Sequence, residues 1–289
     1  MRPEEEQFFL EILKQNPTRE IYLQIKSMIR TQTLPTYSYE NKAYFKVDLW
    51  KGLLDELLVK ESDQENVRLL KELSKYLETQ QVLKESEKAD ELIRDLYLYD
   101  WKIGVLPKNL GEFTYLEEFA LFADPDHDTA IPLRSIPESI GNLKHLRILC
   151  VQNSYLETLP KSIGRLQNLK ELELQGNGLS SLPENIGELQ NLRILELSYN
   201  NLTSLPESIG NLPNLEELHL GGCPLESLPE SIGNLQWLNI LDLSDTSPLD
   251  HLPTSITKLN YLYEIHIGFD IELTPEQEKW VDSIENSYY

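Results

Sequence analysis

The stretch Leu205–Gly210, with the sequence LPESIG, is one of four nearly identical hexapeptides in this chain. The other three begin at Leu159, Leu182 and Leu228. The four copies follow one another at intervals of 23 residues, and about seven copies, some degenerate, fill the stretch from Leu106 to Leu273. The largest departure lies between Pro107 and Pro137, where an insert of about one loop is expected. A fixed interval of this length predicts a repeat architecture, in which each copy forms one structural unit.

A second motif accompanies each hexapeptide. Residues 169–179 read L-x-x-L-x-L-x-x-N-x-L, and residues 192–202 repeat that pattern. Leu172 and Leu174 alternate, which predicts a short strand with both side chains inward. Asn177 follows the strand, where buried backbone groups need partners, and its amide can both donate and accept. We therefore expect stacked repeats, with a ladder of asparagines along the stack.

These motifs resemble the leucine-rich repeat family, in the 23-residue form of plant intracellular Ras-group and bacterial leucine-rich repeat proteins. The resemblance covers about 60% of the chain. It implies an α/β solenoid, a horseshoe with a parallel sheet on its concave face, and protein–protein binding by that face. The chain departs from the family pattern in the insert after Phe122, in Cys223 and Thr246 at the asparagine position, and in Thr257 at the glycine position.

Residues 1–104 are expected to form a separate, all-helical N-terminal domain, followed by the leucine-rich repeat domain at 105–289. Asp48 precedes a stripe of leucines, and residues 62–65 form a capping box before another stripe. The last helix of this domain is predicted over about Glu85–Tyr99. The first 104 residues contain no Cys and no His, so they lack a cysteine nucleophile and the usual zinc ligands.

The C-terminal sequence predicts a capping helix over about residues 274–286. Thr274 is a good N-cap residue, Pro275 suits the first helical position, and Gln277 completes a capping box. Trp280, Val281 and Ile284 are expected to cover the open end of the last repeat.

The chain is strongly acidic, with a net charge of −22. The first 105 residues carry 16 Lys and Arg against 20 Asp and Glu, whereas the rest carries 10 against 28. An acidic repeat domain argues against nucleic-acid or anionic-membrane partners and favours a protein with a basic surface. The sequence contains neither an apolar run long enough to span a membrane nor a signal peptide at its start. We therefore expect a cytoplasmic protein, although secretion without a cleaved signal stays open.

The outward-facing residues of the strands are expected to line the concave face. One column alternates acids with isoleucines, and the next column contains further acids, two histidines and Cys150. Apolar anchors surrounded by charges are typical of a partner surface. The candidate binding residues are Ile148, Glu171, Glu173, Ile194, Glu196, Tyr199, Glu217, His219, Ile240, Asp242, Tyr263, Glu264 and His266. Isoleucine also simply suits a strand, which is the structural alternative.

Two chemical alternatives concern the same face. His219, Asp242 and His266 fall in one column on consecutive strands, and two imidazoles with a carboxylate are a ligand set for zinc or iron. Cys150 is expected to point outward, where it could react.

A calcium loop at residues 124–135 is disfavoured, because the glycine and glutamate that such a loop needs are missing.

The sequence therefore predicts a non-enzymatic interaction protein without a cofactor, binding a basic partner protein through its concave face. The first alternative is a bacterial effector-like protein, with repeats that recognise a substrate and a helical domain that acts in the ubiquitin system. The second alternative is the metal site on the concave face.

Overall fold

The computed structural model describes residues 95–99, 106, 110–111, 114–122, 133–268 and 270–288. Their strands form one parallel sheet, in which each strand pairs with the next one in the chain. The strands are β1 (Asp95–Tyr99), β2 (Glu118–Phe122), β3 (Ile148–Val151), β4 (Glu171–Glu173), β5 (Ile194–Glu196), β6 (Glu217–His219), β7 (Ile240–Leu243), β8 (Glu264–Ile267) and β9 (Asn286–Tyr288). Sequential pairing without crossovers confirms the predicted solenoid.

Each hexapeptide forms one short 3₁₀ turn on the side of the coil away from the sheet. The turns span Glu138–Asn142, Lys161–Arg165, Glu184–Glu188, Glu207–Asn211, Glu230–Asn234 and Thr254–Lys258. The proline before each turn has a φ between −62° and −70°, the value that its ring imposes. The Leu-Pro pair therefore sets the direction in which the chain enters the turn.

The core lies between the sheet and these turns and consists almost entirely of leucine and isoleucine. Leu172 and Leu174 are completely buried, whereas Glu171 and Glu173 between and beside them are half-buried. Ile163, from the opposite wall of the same repeat, is also completely buried. One repeat supplies both walls of the core but leaves its two flat sides open, so the repeats above and below must close it.

The predicted asparagine ladder is present in the central repeats. The Asn200 Nδ2 atom donates to the carbonyl oxygens of Leu174 and Leu197, each 2.8 Å away, and its Oδ1 accepts from the backbone N–H of Leu179 at 3.1 Å. Asn177 makes the corresponding bonds one repeat earlier. In later repeats the Cys223 thiol and the Thr246 hydroxyl each donate to one carbonyl, so these residues serve only part of the role of asparagine.

The residue before the ladder position has a left-handed backbone in every central repeat. The φ values are 51° for Asn153, 68° for Gly176, 56° for Tyr199, 71° for Gly222 and 52° for Asp245. Glycine, asparagine and aspartate tolerate this conformation at low cost, whereas a bulky side chain does not. Tyr199 is therefore the unusual member of this column.

The glycine of the hexapeptide is required by the stacking of the turns. A Cβ atom added to Gly187 would lie 2.3 Å from the backbone oxygen of Ser208 in the next turn. The turn Thr254–Lys258 is followed in the chain by β8 and an α-helix, and not by another 3₁₀ turn. Thr257 can therefore replace glycine there, which explains this departure from the repeat pattern.

Glutamate side chains link one 3₁₀ turn to the next by hydrogen bonds. The Glu138 Oε2 atom accepts from the Ser162 N–H at 3.1 Å, and the Glu230 carboxylate accepts from the N–H groups of Thr254 and Ser255, also at 3.1 Å. Hydrogen bonding by Ser162 and Ser255 lowers the pKa values of Glu138 and Glu230, respectively. Each carboxylate thus caps the N-terminus of the following turn.

The N-terminal prediction is wrong in one segment. Asp95–Tyr99 form β1, which pairs with β2, although a helix was predicted to continue through Tyr99. In the segment DLYLY, Leu96 and Leu98 alternate with the period of a strand. The segment follows this period and not that of the helix predicted over about Glu85–Tyr99. The sheet thus begins ten residues before the predicted domain boundary at 105. The helices predicted before residue 95 and the acidic loop at 124–132 lie outside the described residues.

The C-terminal cap is confirmed in kind and corrected in length. The α-helix Pro275–Val281 begins with the predicted capping box of Thr274 and Gln277. Gln277 is buried and its Nε2 atom donates to the Leu252 carbonyl oxygen at 3.0 Å, which ties the helix to the last turn. The helix ends at Val281 rather than near residue 286, and Asn286–Tyr288 form β9 beside β8.

Candidate functional site

The sheet places the predicted binding residues, except Tyr199 and Tyr263, in two parallel columns. Register pairs Ile148 with Glu171, Glu171 with Ile194, Ile194 with Glu217, Glu217 with Ile240, and Ile240 with Glu264. The second column pairs Cys150, Glu173, Glu196, His219, Asp242 and His266 in that order. The predicted alignment is confirmed, because a constant repeat length keeps the strands in register.

Every second strand presents an isoleucine on this face. Ile148, Ile194 and Ile240 are half-buried, and each lies between two glutamates in its column. Neighbouring strands lie about 4.8 Å apart, so these isoleucines are separated by about 10 Å. Each isoleucine is open to contact from the concave side, although it is partly shielded by its neighbours. The result is a row of regularly spaced apolar contacts within an acidic field.

Glu171 is partly buried and lies near other carboxylates. Partial burial and the nearby carboxylates of Glu173 and Glu118 raise the pKa of Glu171, while Arg147 opposes the effect. The Gln152 amide donates to Glu173 at 2.8 Å and neutralises none of its charge. A cation brought by a partner would lower the free energy of these carboxylates.

The two histidines on this face are each bound to a glutamate of their own strand. The His219 Nε2 atom lies 3.2 Å from Glu217 Oε2, and the His266 Nε2 atom lies 2.8 Å from Glu264 Oε1. Asp242 lies between them and accepts hydrogen bonds from the backbone and hydroxyl of Ser244. Within the described part of the chain, no group of three or more His, Cys, Asp or Glu residues is placed to hold a metal ion. The metal alternative therefore loses its geometric support, because each histidine is hydrogen-bonded to a glutamate of its own strand and His266 also stacks on Tyr288 of β9, with ring centroids 4.7 Å apart.

The expectation of a reactive Cys150 is wrong. Cys150 stands in the second column, as predicted, but its exposed fraction is 2%. Burial and the carboxylate of Glu173 raise the pKa of its thiol far above the ordinary range, so the nucleophilic thiolate is disfavoured. Cys223 is also buried, and it occupies the ladder position as a structural residue.

The aromatic residues lie at the two edges of the concave sheet. Tyr199 follows β5 and is 61% exposed, and its ring lies over Gly222 of the next repeat. Tyr263 immediately precedes β8 at the opposite edge and is 48% exposed. Sequence reasoning missed Trp237 and Tyr261, which lie at this same edge and are 54% and 58% exposed. An aromatic residue at a position that is asparagine in three earlier repeats was the signal that could have identified them.

The cations of the repeat domain are unevenly distributed along the solenoid. No lysine or arginine occurs between Arg193 and Lys258, a stretch that contains nine acidic residues. The Arg193 guanidinium itself forms two hydrogen bonds of 2.8 Å with the Glu216 carboxylate. The strands β5 to β7 therefore form an acidic surface without a lysine or arginine of their own.

Comparison with known families and structures connects this geometry to other proteins. A family model described as a leucine-rich repeat region matches residues 93–223, and a model described as a leucine-rich repeat matches residues 214–235. No curated protein is similar enough to the chain to count as a relative. The helices of the described part of the chain include none that is long and apolar enough to cross a membrane.

Several solved structures are similar to this chain. A leucine-rich repeat protein of Leptospira interrogans is 33% identical over 71% of the chain, with a TM-score of 0.62, and the chain spans only 51% of that protein. The leucine-rich repeat domain of the type III effector XopL is 23% identical, covers 82% of this chain and 98% of its own, and has a TM-score of 0.53. The Arabidopsis receptor kinase HAESA, solved with the peptide hormone IDA and the co-receptor SERK1, is 24% identical over 68% of this chain and 33% of its own, with a TM-score of 0.52. The last two likenesses concern the fold alone.

Proposed function

Because this chain is a leucine-rich repeat protein, we propose that it is a non-enzymatic module that binds a partner protein through the concave face of strands β3 to β8. Leucine-rich repeat folds generally serve protein–protein interaction, and a parallel sheet with an exposed concave face offers a large surface for it. The partner would present a basic surface with apolar side chains between its cations. No cofactor and no nucleic acid takes part in this function, which we place in the cytoplasm.

One observation carries the proposal, namely the row of Ile148, Ile194 and Ile240 among acids on an exposed sheet. The core of a protein interface is typically apolar, and the charges around it determine specificity and the rate of association. Between Arg193, which is bound to Glu216, and Lys258 the chain supplies no lysine or arginine to the acids of β5 to β7. This favours a partner that supplies those cations.

The test compares the full chain with the variant Ile194→Arg plus Ile240→Arg as baits in a pull-down at low and at high salt. Captured proteins are identified by mass spectrometry, and the leading partner is purified for titration calorimetry. We expect the variant to lose at least about tenfold in affinity, because two interface anchors become charged and bulky. Higher salt should weaken the wild-type complex.

A matched control is Ser204→Arg plus Ser227→Arg, which places the same charges at exposed positions next to the Leu-Pro pairs and should lose at most about fivefold in affinity at low salt. Urea unfolding of all three proteins verifies that each is folded. Equal affinity of the wild type and the isoleucine variant for the purified partner would refute the concave-face proposal. A partner with an acidic contact surface would refute the predicted chemistry.

The ubiquitin-system alternative concerns residues 1–105, which lie almost wholly outside the described residues. The likeness to the repeat domain of XopL supports a shared fold and carries no activity to this chain. The interaction function is therefore the one that the described residues support best.

A further inference from the structure

A pair of exposed aromatic rings stands at the edge of the last repeats, where the chain enters the strands. The centroids of the Trp237 and Tyr261 rings are 5.1 Å apart and their planes are inclined by 26°, so the rings are stacked. Tyr263 lies two residues after Tyr261, immediately before β8, and is also exposed. We call Trp237, Tyr261 and Tyr263 the aromatic edge.

The fold does not require aromatic residues at these positions. In the three preceding repeats the place of Trp237 is taken by asparagine, at Asn168, Asn191 and Asn214. Each asparagine donates its amide to a backbone carbonyl of the repeat before it, at 2.7 Å. Trp237 and Tyr261 give up that hydrogen bond and leave large apolar surfaces in water, which has no evident benefit for stability.

The surroundings of the aromatic edge are acidic. Glu264 follows Tyr263 directly, and Glu217 lies two strands away in the same column, paired through Ile240. The nearest cations in the sequence are Lys258, three residues before Tyr261 in the last 3₁₀ turn, and Lys279, in the C-terminal α-helix. Glu264 is thus next to this edge in the chain, and its carboxylate also contacts the His266 ring.

The opposite end of the solenoid offers an internal contrast. Tyr115 and His145 occupy the same position of the first repeats and also stack, with centroids 5.6 Å apart and planes inclined by 3°. Lys144 and Arg147 flank His145 in the sequence, so that pair stands among cations of the chain itself. The pair of Trp237 and Tyr261 differs in that Trp237 lies in the stretch between Arg193 and Lys258, which has nine acidic residues and no lysine or arginine.

We infer that the aromatic edge binds an arginine-bearing segment of a partner protein. A guanidinium is planar, stacks on aromatic faces and can at the same time bind a carboxylate such as Glu264 with its N–H groups. Trp and Tyr are also the residues that most often dominate binding energy at interfaces. The inference rests on the proposed function in one respect, that the ligand is a protein, and it adds a second contact outside the concave columns.

The test measures fluorescence anisotropy of a labelled peptide of six Arg-Gly repeats with the full chain. Two further peptides replace arginine with lysine or with citrulline, which has the shape of arginine without its charge. We expect the arginine peptide to bind more tightly than the lysine peptide, and the citrulline peptide more weakly than both. The double variant Trp237→Ala plus Tyr261→Ala should lower the affinity for the arginine peptide by about fivefold to thirtyfold.

The matched control is Tyr155→Ala, which removes a similarly exposed tyrosine from an earlier repeat and should change the affinity by less than twofold. Equal affinity of the wild type and the Trp237/Tyr261 variant would overturn the inference, as would a citrulline peptide that binds as well as arginine. Sedimentation analysis adds an independent check, because dimers that vanish in this variant would assign the edge to self-association. Binding by the concave face is tested separately by the Ile194/Ile240 variant. Either proposal can therefore be refuted without the other.

Discussion

At the scale of single residues, Tyr199 is the position where the sequence departs most from what the backbone prefers. Its φ of 56° is left-handed, and four other members of its column are Gly, Asn or Asp. Such a conformation costs a bulky residue about 1–2 kcal/mol. We propose that Tyr199, which is 61% exposed, is kept at that cost for a contact with a partner.

We therefore predict that Tyr199→Asn leaves the free energy of unfolding unchanged or raises it by about 0.5–1 kcal/mol. Asparagine tolerates the left-handed backbone, as Asn153 does in an earlier repeat. Affinity for the partner should fall in the same variant. Urea unfolding and calorimetry would measure the two effects, and a loss of stability without a loss of affinity would assign Tyr199 a purely structural role.

The stacking glycines permit a second prediction at this scale. Gly187→Ala should destabilise the chain by about 1–3 kcal/mol, because the added Cβ would lie 2.3 Å from the Ser208 backbone oxygen and the turns would have to separate. Gly178→Ala is the control, since its Cβ would lie 3.6 Å from the Leu156 oxygen, an ordinary contact. Similar urea midpoints for the two variants would contradict the stacking argument.

At the scale of elements, the 3₁₀ turns are held to one another by carboxylates as well as by apolar packing. Glu138 and Glu230 each accept N–H groups from the following turn, and both have lowered pKa values. A carboxyl group whose pKa is lower in the folded than in the unfolded chain stabilises the fold above its unfolded value, near 4.5. That contribution disappears as the pH falls through the lowered pKa.

We expect the variant Glu138→Gln plus Glu230→Gln to unfold at a lower urea concentration than the wild type at pH 7. The difference should shrink as the pH is lowered below about 4.5, because the wild-type carboxylates then become protonated and neutral like glutamine. The exposed Glu226→Gln variant serves as the control and should follow the wild type at both pH values. A difference between wild type and double variant that is constant from pH 7 to pH 3 would show that the carboxylate charge plays no part.

The elements also show where sequence reasoning succeeds and where it fails. The repeats from β3 to β8 could be predicted because one constant period fixes the strands, their register and the columns together. The segments at the ends, Asp95–Tyr99 and Asn286–Tyr288, stand outside that period, and each pairs with the neighbouring strand at one edge of the sheet. Propensity alone could not reveal either pairing.

The candidate site was predictable to the level of columns but not of side-chain contacts. Register followed from the period, so the neighbours of Ile194 and His219 were expected correctly. The directions of side chains did not follow, because His219 and His266 bind glutamates two residues away on their own strands. The burial of Cys150 and the stacking of Trp237 on Tyr261 likewise depend on packing that no pattern in one repeat contains.

At the scale of the whole molecule, the distribution of charge gives the solenoid two unlike halves. All lysines and arginines in the central repeats occur up to Arg193, and the next is Lys258. A one-sided field of this kind accelerates the approach of an oppositely charged partner and orients it before contact. We expect the acidic half to be the end at which a basic partner arrives.

This predicts a kinetic effect of charges placed away from the contact surface. The variant Ser204→Lys plus Ser227→Lys should slow association with the arginine peptide by about twofold to fivefold at low salt and leave its dissociation rate nearly unchanged. Ser204→Gln plus Ser227→Gln is the neutral control. Stopped-flow measurements would follow both rates, and an effect confined to dissociation would argue for direct contact at these serines.

Thr257 affects where further repeats can be added to this chain. Repeat arrays lengthen by duplication, and a new unit can be accommodated only where the preceding turn presents a bare backbone to it. At Thr257 a stacked turn would meet a β-branched side chain at the place where Gly187 leaves room for the Ser208 carbonyl. An added unit can therefore enter upstream of the turn Thr254–Lys258, whereas behind that turn it would first need a mutation of Thr257 to glycine. The Thr257 side chain thus hinders the addition of a further repeat behind the last turn.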